Sequence, residues 1–316
     1  MDLVEIPRNP IPTGAISGVC KGADGIDLRF ARWSATTPRR KGTVCVFGGR
    51  GEFIEKYFET TSDLRRRGFA VACLDWRGQG GSARLLKNPQ KGHVEDFADF
   101  DRDLARFMNE VVLPDCPPPF YALAHSMGAN ILLRAARMKD CWFDRMVLMA
   151  PMLGLTELPL PLPAVAGLAE MLTFVGLGDV FVPGGNGVAW ESRPFEDNLL
   201  STDTTRYTRN QAILQAAPDL GVGSPTIGWL RAAIASMRLI NDYGYPASVH
   251  VPVLMLTAGS DRIVCNRAIQ DLAAQLKAGS QIVLHGARHE ILQERDELRE
   301  QALAAIETFL PGRQDL

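Results

Sequence analysis

The chain lacks an excess of basic charge. Its 34 lysine and arginine residues are outnumbered by 36 aspartate and glutamate residues, which gives a formal net charge of −2. A nucleic-acid backbone is held mainly by clustered positive charge, so we expect no nucleic-acid partner. Hydrophobic residues make up 46% of the chain and charged residues 22%, which is typical of a globular protein with a substantial core.

Paired cysteines are also missing. The six Cys residues are scattered along the chain, and no two of them have the spacing of a redox or zinc motif. Cys45 and Cys73 lie inside apolar, strand-like runs. This pattern indicates buried thiols in a reducing compartment rather than a disulfide framework or a zinc site. We expect no metal and no organic cofactor.

The sequence shows neither a secretory leader nor a long apolar run. Residues 158–169 are uncharged but contain three prolines, and a membrane-spanning helix needs about 20 mainly apolar residues. We therefore predict a cytoplasmic protein. The apolar residues of this stretch are interpreted as part of a lid over an apolar pocket or as packing against the core. Transient contact with a membrane surface is the weaker alternative.

Strand-like and helix-like runs alternate along most of the chain. Alternation of this kind predicts a mostly parallel sheet with helices on both faces. The alternation stops after Pro151 and resumes at Val251, so the residues between them form a helical insertion. We predict an α/β fold with a core of residues 1–154 and 246–316 and a helical cap of residues 155–245.

The individual elements follow from apolar periodicity and turn residues. An N-terminal hairpin is expected around Asp24-Gly25. The predicted strands cover residues 15–20, 26–33, 43–47, 69–74, 119–123, 145–150, 251–257 and 281–285. The predicted helices cover residues 53–67, 94–112, 130–136, 168–175, 211–217, 227–241, 266–277 and 291–309.

One short motif, Leu123-Ala124-His125-Ser126-Met127-Gly128, carries most of the functional information. It joins a strand-like run to a helix-like run, and small residues flank the serine at Ala124 and Gly128. A serine on a sharp turn between a strand and a helix is typical of a nucleophile elbow. The alternative is that Ser126 only caps a helix. We predict that Ser126 is a catalytic nucleophile.

A serine nucleophile needs a histidine base, and the histidine needs a carboxylate to orient it. After an elbow of this type the acid precedes the histidine along the chain. Asp261 follows a predicted strand, and His289 lies in the loop after the next strand. His285, at the end of that strand, is the competing base. For Asp261 the alternative is an aspartate that stabilises a turn.

Another carboxylate, Asp75, also follows a predicted strand. It precedes the elbow serine, which is the wrong order for the acid of this fold type. Arg77 lies two residues further along the chain and offers Asp75 a plain ion pair. We therefore predict a structural role for Asp75.

Acyl transfer places negative charge on a carbonyl oxygen, which two backbone N–H groups should receive. One is expected from Met127, the residue after the nucleophile, where the helix dipole assists. The other is expected from Arg50 in the glycine-rich loop of residues 48–51. Phosphate binding is the alternative for this loop and for residues 78–81, but neither contains a complete phosphate-binding pattern.

These motifs together resemble the α/β-hydrolase superfamily, specifically its monoacylglycerol lipase and lysophospholipase branch. The resemblance extends from Thr43 to the C-terminal helix. Two residues depart from the pattern of the branch, since Gly48 replaces a histidine and Ala124 replaces the first elbow glycine. The matching motifs are Gly48-Gly49-Arg50-Gly51-Glu52 followed by Tyr57, Asp75-Trp76-Arg77-Gly78-Gln79-Gly80-Gly81-Ser82, the elbow, and Ala258-Gly259-Ser260-Asp261.

The resemblance implies a serine hydrolase of carboxylic esters, with a lysophospholipid or a monoacylglycerol as its small-molecule substrate. It implies Ser126 as nucleophile, Asp261 as acid and His289 as base, with the amides of Arg50 and Met127 as the oxyanion hole. The same branch resembles prolyl-type aminopeptidases, which need lid carboxylates to hold a free amino group. A binding protein without activity is the third alternative. The available lid carboxylates are Glu191, Glu196, Asp197 and Asp203.

Overall fold

An eight-stranded β-sheet forms the centre of the molecule in the computed structural model, which describes residues 2–156 and 158–312. The strand order is β1-β2-β4-β3-β5-β6-β7-β8. Strands β3 to β8 pair in parallel, and β1 and β2 extend the sheet in antiparallel pairing. The strands are β1 (Ile16–Lys21), β2 (Asp27–Trp33), β3 (Gly42–Phe47), β4 (Phe69–Leu74), β5 (Phe120–His125), β6 (Arg145–Met149), β7 (Val253–Ala258) and β8 (Gly279–Leu284).

The helices cover both faces of this sheet. Helix α2 continues as a π-helix at Met108–Val112, and α5 continues as one at Thr173–Leu177. Within the described residues the α-helices are α1 (Phe58–Arg66), α2 (Ala98–Phe107), α3 (Leu113–Asp115), α4 (Ser126–Ala135), α5 (Leu162–Leu172), α6 (Thr204–Ala216), α7 (Ile227–Ile240), α8 (Asn266–Gln275) and α9 (Asp296–Phe309). The mostly parallel sheet flanked by helices is an α/β-hydrolase fold, as the sequence predicts.

The sheet topology places loops from two strands side by side. Strand β4 pairs with one edge of β3. The chain then crosses back, and β5 pairs with the other edge of β3. In an open parallel sheet, ligands bind beyond the carboxyl ends of the strands where the order reverses in this way. The loop after β3 and the start of α4 therefore meet at one crevice.

Several helices begin or break at positions that the apolar pattern does not predict. Helix α2 starts at Ala98 rather than at residue 94, because the side chain of Asp96 accepts a hydrogen bond from the Ala98 amide. Helix α6 starts seven residues before the predicted helix because Asp203 caps its mostly polar first half. The C-terminal helix is interrupted before α9, where the side chain of Glu294 accepts hydrogen bonds from two loop amides.

Helix α5 also starts earlier than predicted. In the sequence, the prolines at 159, 161 and 163 suggest breaks in an apolar stretch. Pro163 instead occupies the first turn of α5, where a residue without an N–H loses no intrahelical hydrogen bond.

Residues 155–245 lie between β6 and β7, and the described residues of this range form helices joined by connecting segments. Helix α7 packs against α5 within this segment and against α4 of the sheet-bearing part. A buried hydrogen bond joins the side chains of Ser236 on α7 and Asn130 on α4 at 2.6 Å. Within the described ranges, no helix has both the length and the apolar character that crossing a bilayer requires.

Candidate active site

Ser126 sits on a strained turn between β5 and α4. Its backbone φ is 51°, a left-handed value that non-glycine residues adopt rarely and that costs free energy. The backbone is held there because the Ser126 carbonyl accepts a hydrogen bond from the Met152 amide at 3.1 Å. This conformation turns the Ser126 side chain away from the sheet and into a cavity.

His289 connects Ser126 to Asp261 by two hydrogen bonds. The distance between His289 Nδ1 and Asp261 Oδ2 is 2.7 Å, and that between His289 Nε2 and Ser126 Oγ is 2.9 Å. An ionised carboxylate only accepts, so Nδ1 carries the proton and the neutral Nε2 accepts from the serine hydroxyl. The arrangement can remove a proton from Ser126.

The environment keeps the imidazole of His289 neutral and the carboxyl of Asp261 ionised. Burial lowers the pKa of His289 below its usual 6.5 despite the hydrogen bond to Asp261. Burial alone would raise the pKa of Asp261, but hydrogen bonds from His289 and from the amides of Ile263 and Val264 hold that pKa below its usual value. The competing base, His285, lies exposed directly after β8.

The glycine-rich loop after β3 packs directly against the turn at Ser126. A β-carbon on Gly49 would lie 3.1 Å from the β-carbon of Ser126, and one on Gly128 would lie 2.5 Å from the carbonyl oxygen of Gly48. The Arg50 amide donates no hydrogen bond within the described part of the chain. The Met127 amide lies in the first turn of α4, where intrahelical acceptors are lacking.

His125 ties this loop to the loop of His289, which sequence reasoning missed. Its Nδ1 donates to Glu52 Oε2 at 3.0 Å, and its Nε2 donates to the carbonyl oxygen of His289 at 3.0 Å. Two acceptors require a proton on both nitrogens, so the ring is an imidazolium. Burial opposes this charge, but the Glu52 carboxylate raises the pKa of His125 above its usual value.

A second missed feature is the ammonium group of Lys56, which is fully buried among three carboxylates. Its Nζ lies 2.6 Å from Glu290, 2.8 Å from Glu191 and 3.2 Å from Glu52. Burial and the neighbouring carboxylates raise the pKa of Glu290 to about 7, although Lys56 opposes the shift. Glu290 directly follows His289 in the sequence, and this adjacency is the sequence signal that could have pointed to a charged cluster beside the base.

Ser126 and His289 open into a cavity of about 300 Å³. Apolar side chains from the sheet-bearing part of the chain and from residues 155–245 form much of its wall. Among them are Met152, Leu155, Val188, Val222, Leu230 and Ile263.

The four carboxylates considered for amine binding lie in different environments in the structure. Glu191 is buried and lines the cavity. Glu196 and Asp197 are exposed, and Asp203 caps α6. The predicted ion pair between Asp75 and Arg77 is wrong, because Asp75 pairs with Arg29 at 2.6 Å.

The residue expected to pair with Asp75 has other partners. Arg77 Nη2 lies 2.6 Å from Asp103, and its Nη1 lies 2.9 Å from Asp24. Asp75 Oδ1 instead accepts a hydrogen bond from the amide of Ile54, which follows the glycine-rich loop. The carboxylate therefore supports that loop, in keeping with the structural role predicted for it.

Comparison with known proteins places this geometry in a family. A family model described as "Serine aminopeptidase, S33" matches residues 38–296. The chain belongs to this family.

Named relatives show the branch of this α/β-hydrolase. It is 36% identical over 300 residues to lysophospholipase L2 of Escherichia coli K12, an alignment covering 91% of this chain and 85% of the relative. It is 32% identical over 131 residues to the monoglyceride lipase of Rattus norvegicus, covering 42% of this chain and 41% of the relative. The chain is a carboxylic-ester hydrolase of the lipase and lysophospholipase branch.

The fold of this hydrolase is shared with solved structures. A soluble variant of the monoglyceride lipase from Saccharomyces cerevisiae, in complex with a substrate analog, superposes with a TM-score of 0.71 at 17% identity. The alignment covers 94% of this chain and 96% of that structure.

The structure accommodates both departures from the family pattern. A β-carbon at Gly48 would lie 3.1–3.3 Å from atoms of Glu52 and Tyr57, so the Glu52 carboxylate fills the space that a side chain would need. Ala124 is fully buried within β5.

Proposed function

We propose that this α/β-hydrolase cleaves a lysophospholipid or a monoacylglycerol through a covalent acyl-enzyme. One observation carries the proposal: the hydrogen-bonded series from Asp261 through His289 to Ser126, which ends in a cavity with apolar walls. An orienting carboxylate, a base and a nucleophile in this order are what acyl transfer to a serine requires.

The reaction follows from these contacts. Ser126 Oγ attacks the ester carbonyl while His289 Nε2 accepts the hydroxyl proton, and Asp261 stabilises the imidazolium that forms. Collapse of the tetrahedral intermediate transfers that proton from His289 to the leaving alcohol. Water then attacks the acyl-enzyme with the same base, which releases the fatty acid and restores Ser126.

The amides of Arg50 and Met127 are proposed to hold the oxyanion. Both belong to segments that pack against the turn at Ser126, and the Arg50 amide has no other acceptor within the described residues. Preorganised N–H groups stabilise the developing charge without reorganisation, and removing one such donor typically costs about 2.7–4 kcal/mol of transition-state stabilisation.

Residues 155–245 are proposed to act as a cap over the core formed by residues 1–154 and 246–316. The cap contributes Val188, Trp190 and Val222 to the cavity wall, and the core contributes Met152 and Ile263. An apolar cavity of this kind suits an acyl chain, and the relatives' names indicate lipid esters as substrates.

The cap is also proposed to touch a lipid surface transiently. Helix α5 and its extension expose apolar side chains, including Met171 at 56%, Phe174 at 90% and Val175 at 60%. Apolar side chains on one exposed helix are typical of interfacial contact. Replacing Phe174 with Asp should reduce co-flotation with lipid vesicles. An unchanged floated fraction would contradict this part of the proposal.

The main test is Ser126→Ala. This variant should lose hydrolysis of a short-chain ester and labelling by a fluorophosphonate while it keeps its circular dichroism spectrum. Ser280→Ala, at an exposed serine of β8, is the matched control and should behave as the wild type. Retained labelling of Ser126→Ala would show that the nucleophile is another residue.

A serine aminopeptidase is the second candidate, favoured by Glu191 and Glu290 in the cavity wall. Each of these carboxylates has an oxygen bound to Lys56, which weakens their attraction for a substrate amino group. The lipid-ester proposal predicts much faster turnover of acyl esters than of aminoacyl-arylamides. The opposite ratio would favour the aminopeptidase.

A further inference from the structure

The side chain of Arg50 forms part of the cavity wall at the junction of core and cap. Its Cζ lies 5.2 Å from the ring centroid of Trp229 on α7, and its Nη2 donates to the carbonyl oxygen of Gly223 at 2.5 Å. On the other side, a β-carbon on Gly92 would lie 2.5 Å from Nη2. The guanidinium is therefore held in one place by a ring, a carbonyl group and a glycine.

This guanidinium has no anionic partner. Within residues 2–156 and 158–312, no carboxylate oxygen lies within 4.0 Å of it. The described part of the chain offers no hydrogen-bond acceptor to its Nη1, and none to its Nε, which is enclosed. Arg29, another buried arginine, differs because it contacts the carboxylates of Glu55 and Asp75.

The neighbouring acid does not compensate for this charge. Glu191 attracts Arg50 electrostatically, but its carboxylate lies 2.8 Å from Lys56. Burial lowers the pKa of Arg50 to about 10, which leaves the side chain charged at neutral pH. A ligand that fills the cavity removes the remaining water from this cation, which is unfavourable unless the ligand brings an anion.

We propose that the Arg50 guanidinium binds the phosphate group of a lysophospholipid through Nη1, so that the cavity selects lysophospholipids over monoacylglycerols. The inference rests on the proposed ester hydrolysis at Ser126. Nη1 carries two N–H donors, and charge-assisted hydrogen bonds from a guanidinium to phosphate oxygens are strong and directional. A monoacylglycerol offers only uncharged hydroxyl groups and leaves the cation unpaired.

The position of Arg50 fits the covalent structure of such a substrate. Its amide is proposed to receive the ester carbonyl oxygen, and its side chain extends from the same residue along the cavity wall to Trp229. In a lysophospholipid the acyl ester and the phosphate are attached to one glycerol unit. A single residue can therefore contact both groups.

The test compares two monomeric substrates with the same octanoyl chain, a lysophosphatidylglycerol and a monoacylglycerol. Arg50→Met should lower the ratio of their kcat/KM values about tenfold or more, the effect of losing a charge-assisted hydrogen bond. Arg50→Lys, which keeps the charge without the planar fork, should give an intermediate ratio. Any loss of kcat/KM that affects both substrates equally cancels in this ratio.

Arg193→Met is the matched control. Arg193 also lines the cavity, but its guanidinium lies against a different ring, with its Cζ 4.2 Å from the ring centroid of Trp190. Its loss removes the same charge from the same cavity and should change the ratio less than about twofold. An unchanged ratio in Arg50→Met, or an equal fall in Arg193→Met, would overturn the inference.

A measurement on the wild type decides the matter if Arg50→Met does not fold. Glycerophosphoglycerol should competitively inhibit hydrolysis of p-nitrophenyl butyrate, whereas glycerol at the same concentration should not. Inhibition by octanoate without inhibition by glycerophosphoglycerol would assign Arg50 to the fatty-acid carboxylate and overturn the inference. If Ser126→Ala keeps full activity, the proposed function itself fails. If only the substrate ratio and the inhibition fail, the proposed function stands.

Discussion

Lys56 and Glu191 form a buried ion pair of 2.8 Å that links the core to residues 155–245. The lysine follows the glycine-rich loop after β3, and the glutamate lies in a short 3₁₀-helix that borders the cavity. The same ammonium group binds Glu290, the neighbour of His289. One buried cation thus connects three segments that border the cavity.

Replacing Lys56 with Met should lower the free energy of unfolding by about 3–5 kcal/mol, because it leaves three carboxylates buried without their cation. Urea denaturation at neutral pH measures the change. Lys21→Met is the control, since Lys21 and Asp27 form an ion pair at the surface with side chains 60% and 52% exposed. Exposed pairs contribute about 0–1 kcal/mol. Equal losses in the two variants would contradict a structural role for the buried cluster.

The pH dependence of hydrolysis should report the lowered pKa of His289. A base must be neutral to accept the proton of Ser126, so kcat/KM should fall only below pH 6.5, the usual pKa of the side chain. Glu290 lies next to His289 and has a pKa raised to about 7, so its titration can overlap with that of the base in the pH profile. In Glu290→Gln the acid limb of the profile should remain below pH 6.5. An acid limb above pH 6.5 in Glu290→Gln would contradict the assignment of His289 as the base.

Asp261→Asn provides a second measure of the same histidine. The substitution removes the hydrogen bond and the charge that both raise the pKa of His289, so the acid limb should move to lower pH. An asparagine can also stabilise the unproductive tautomer, and kcat should fall on the order of 10⁴-fold. The pH profile of single-turnover acylation tests both effects. An unshifted limb with unchanged kcat would exclude Asp261 as the partner of the base.

Gly128→Ala should disturb the site through backbone contact. A β-carbon there would lie 2.5 Å from the Gly48 carbonyl oxygen and 2.7 Å from that of Phe47, so the loop carrying Arg50 must shift. We expect kcat/KM to fall about 10²-fold, the cost of misplacing a catalytic group by about 1 Å. Gly167→Ala on α5 is the matched control, because a β-carbon there meets no atom within 4 Å outside its own helix. Wild-type kinetics for Gly128→Ala would contradict this close packing.

Much of the architecture was predictable because it depends on local patterns. Every residue of β3, β4 and β7 is buried, and such strands show as short apolar runs in the sequence. Helix starts were less predictable where one polar side chain decides them. Asp203 accepts a hydrogen bond from the Arg206 amide and thereby begins α6 in a stretch with little apolar periodicity.

The order of elements could be predicted from the sequence, because it depends on local patterns. Ser126, Asp261 and His289 could be predicted as neighbours for a similar reason, because motifs within short segments and chain order point to them, and the structure brings the three side chains together. The tertiary structure alone decided which charges meet. Asp75 pairs with Arg29 rather than with Arg77, and Lys56 gathers carboxylates from distant segments. Arg50 meets no anion within the described ranges for the same physical reason: ion pairs form between side chains that tertiary packing brings together, and no local pattern in the sequence records that packing.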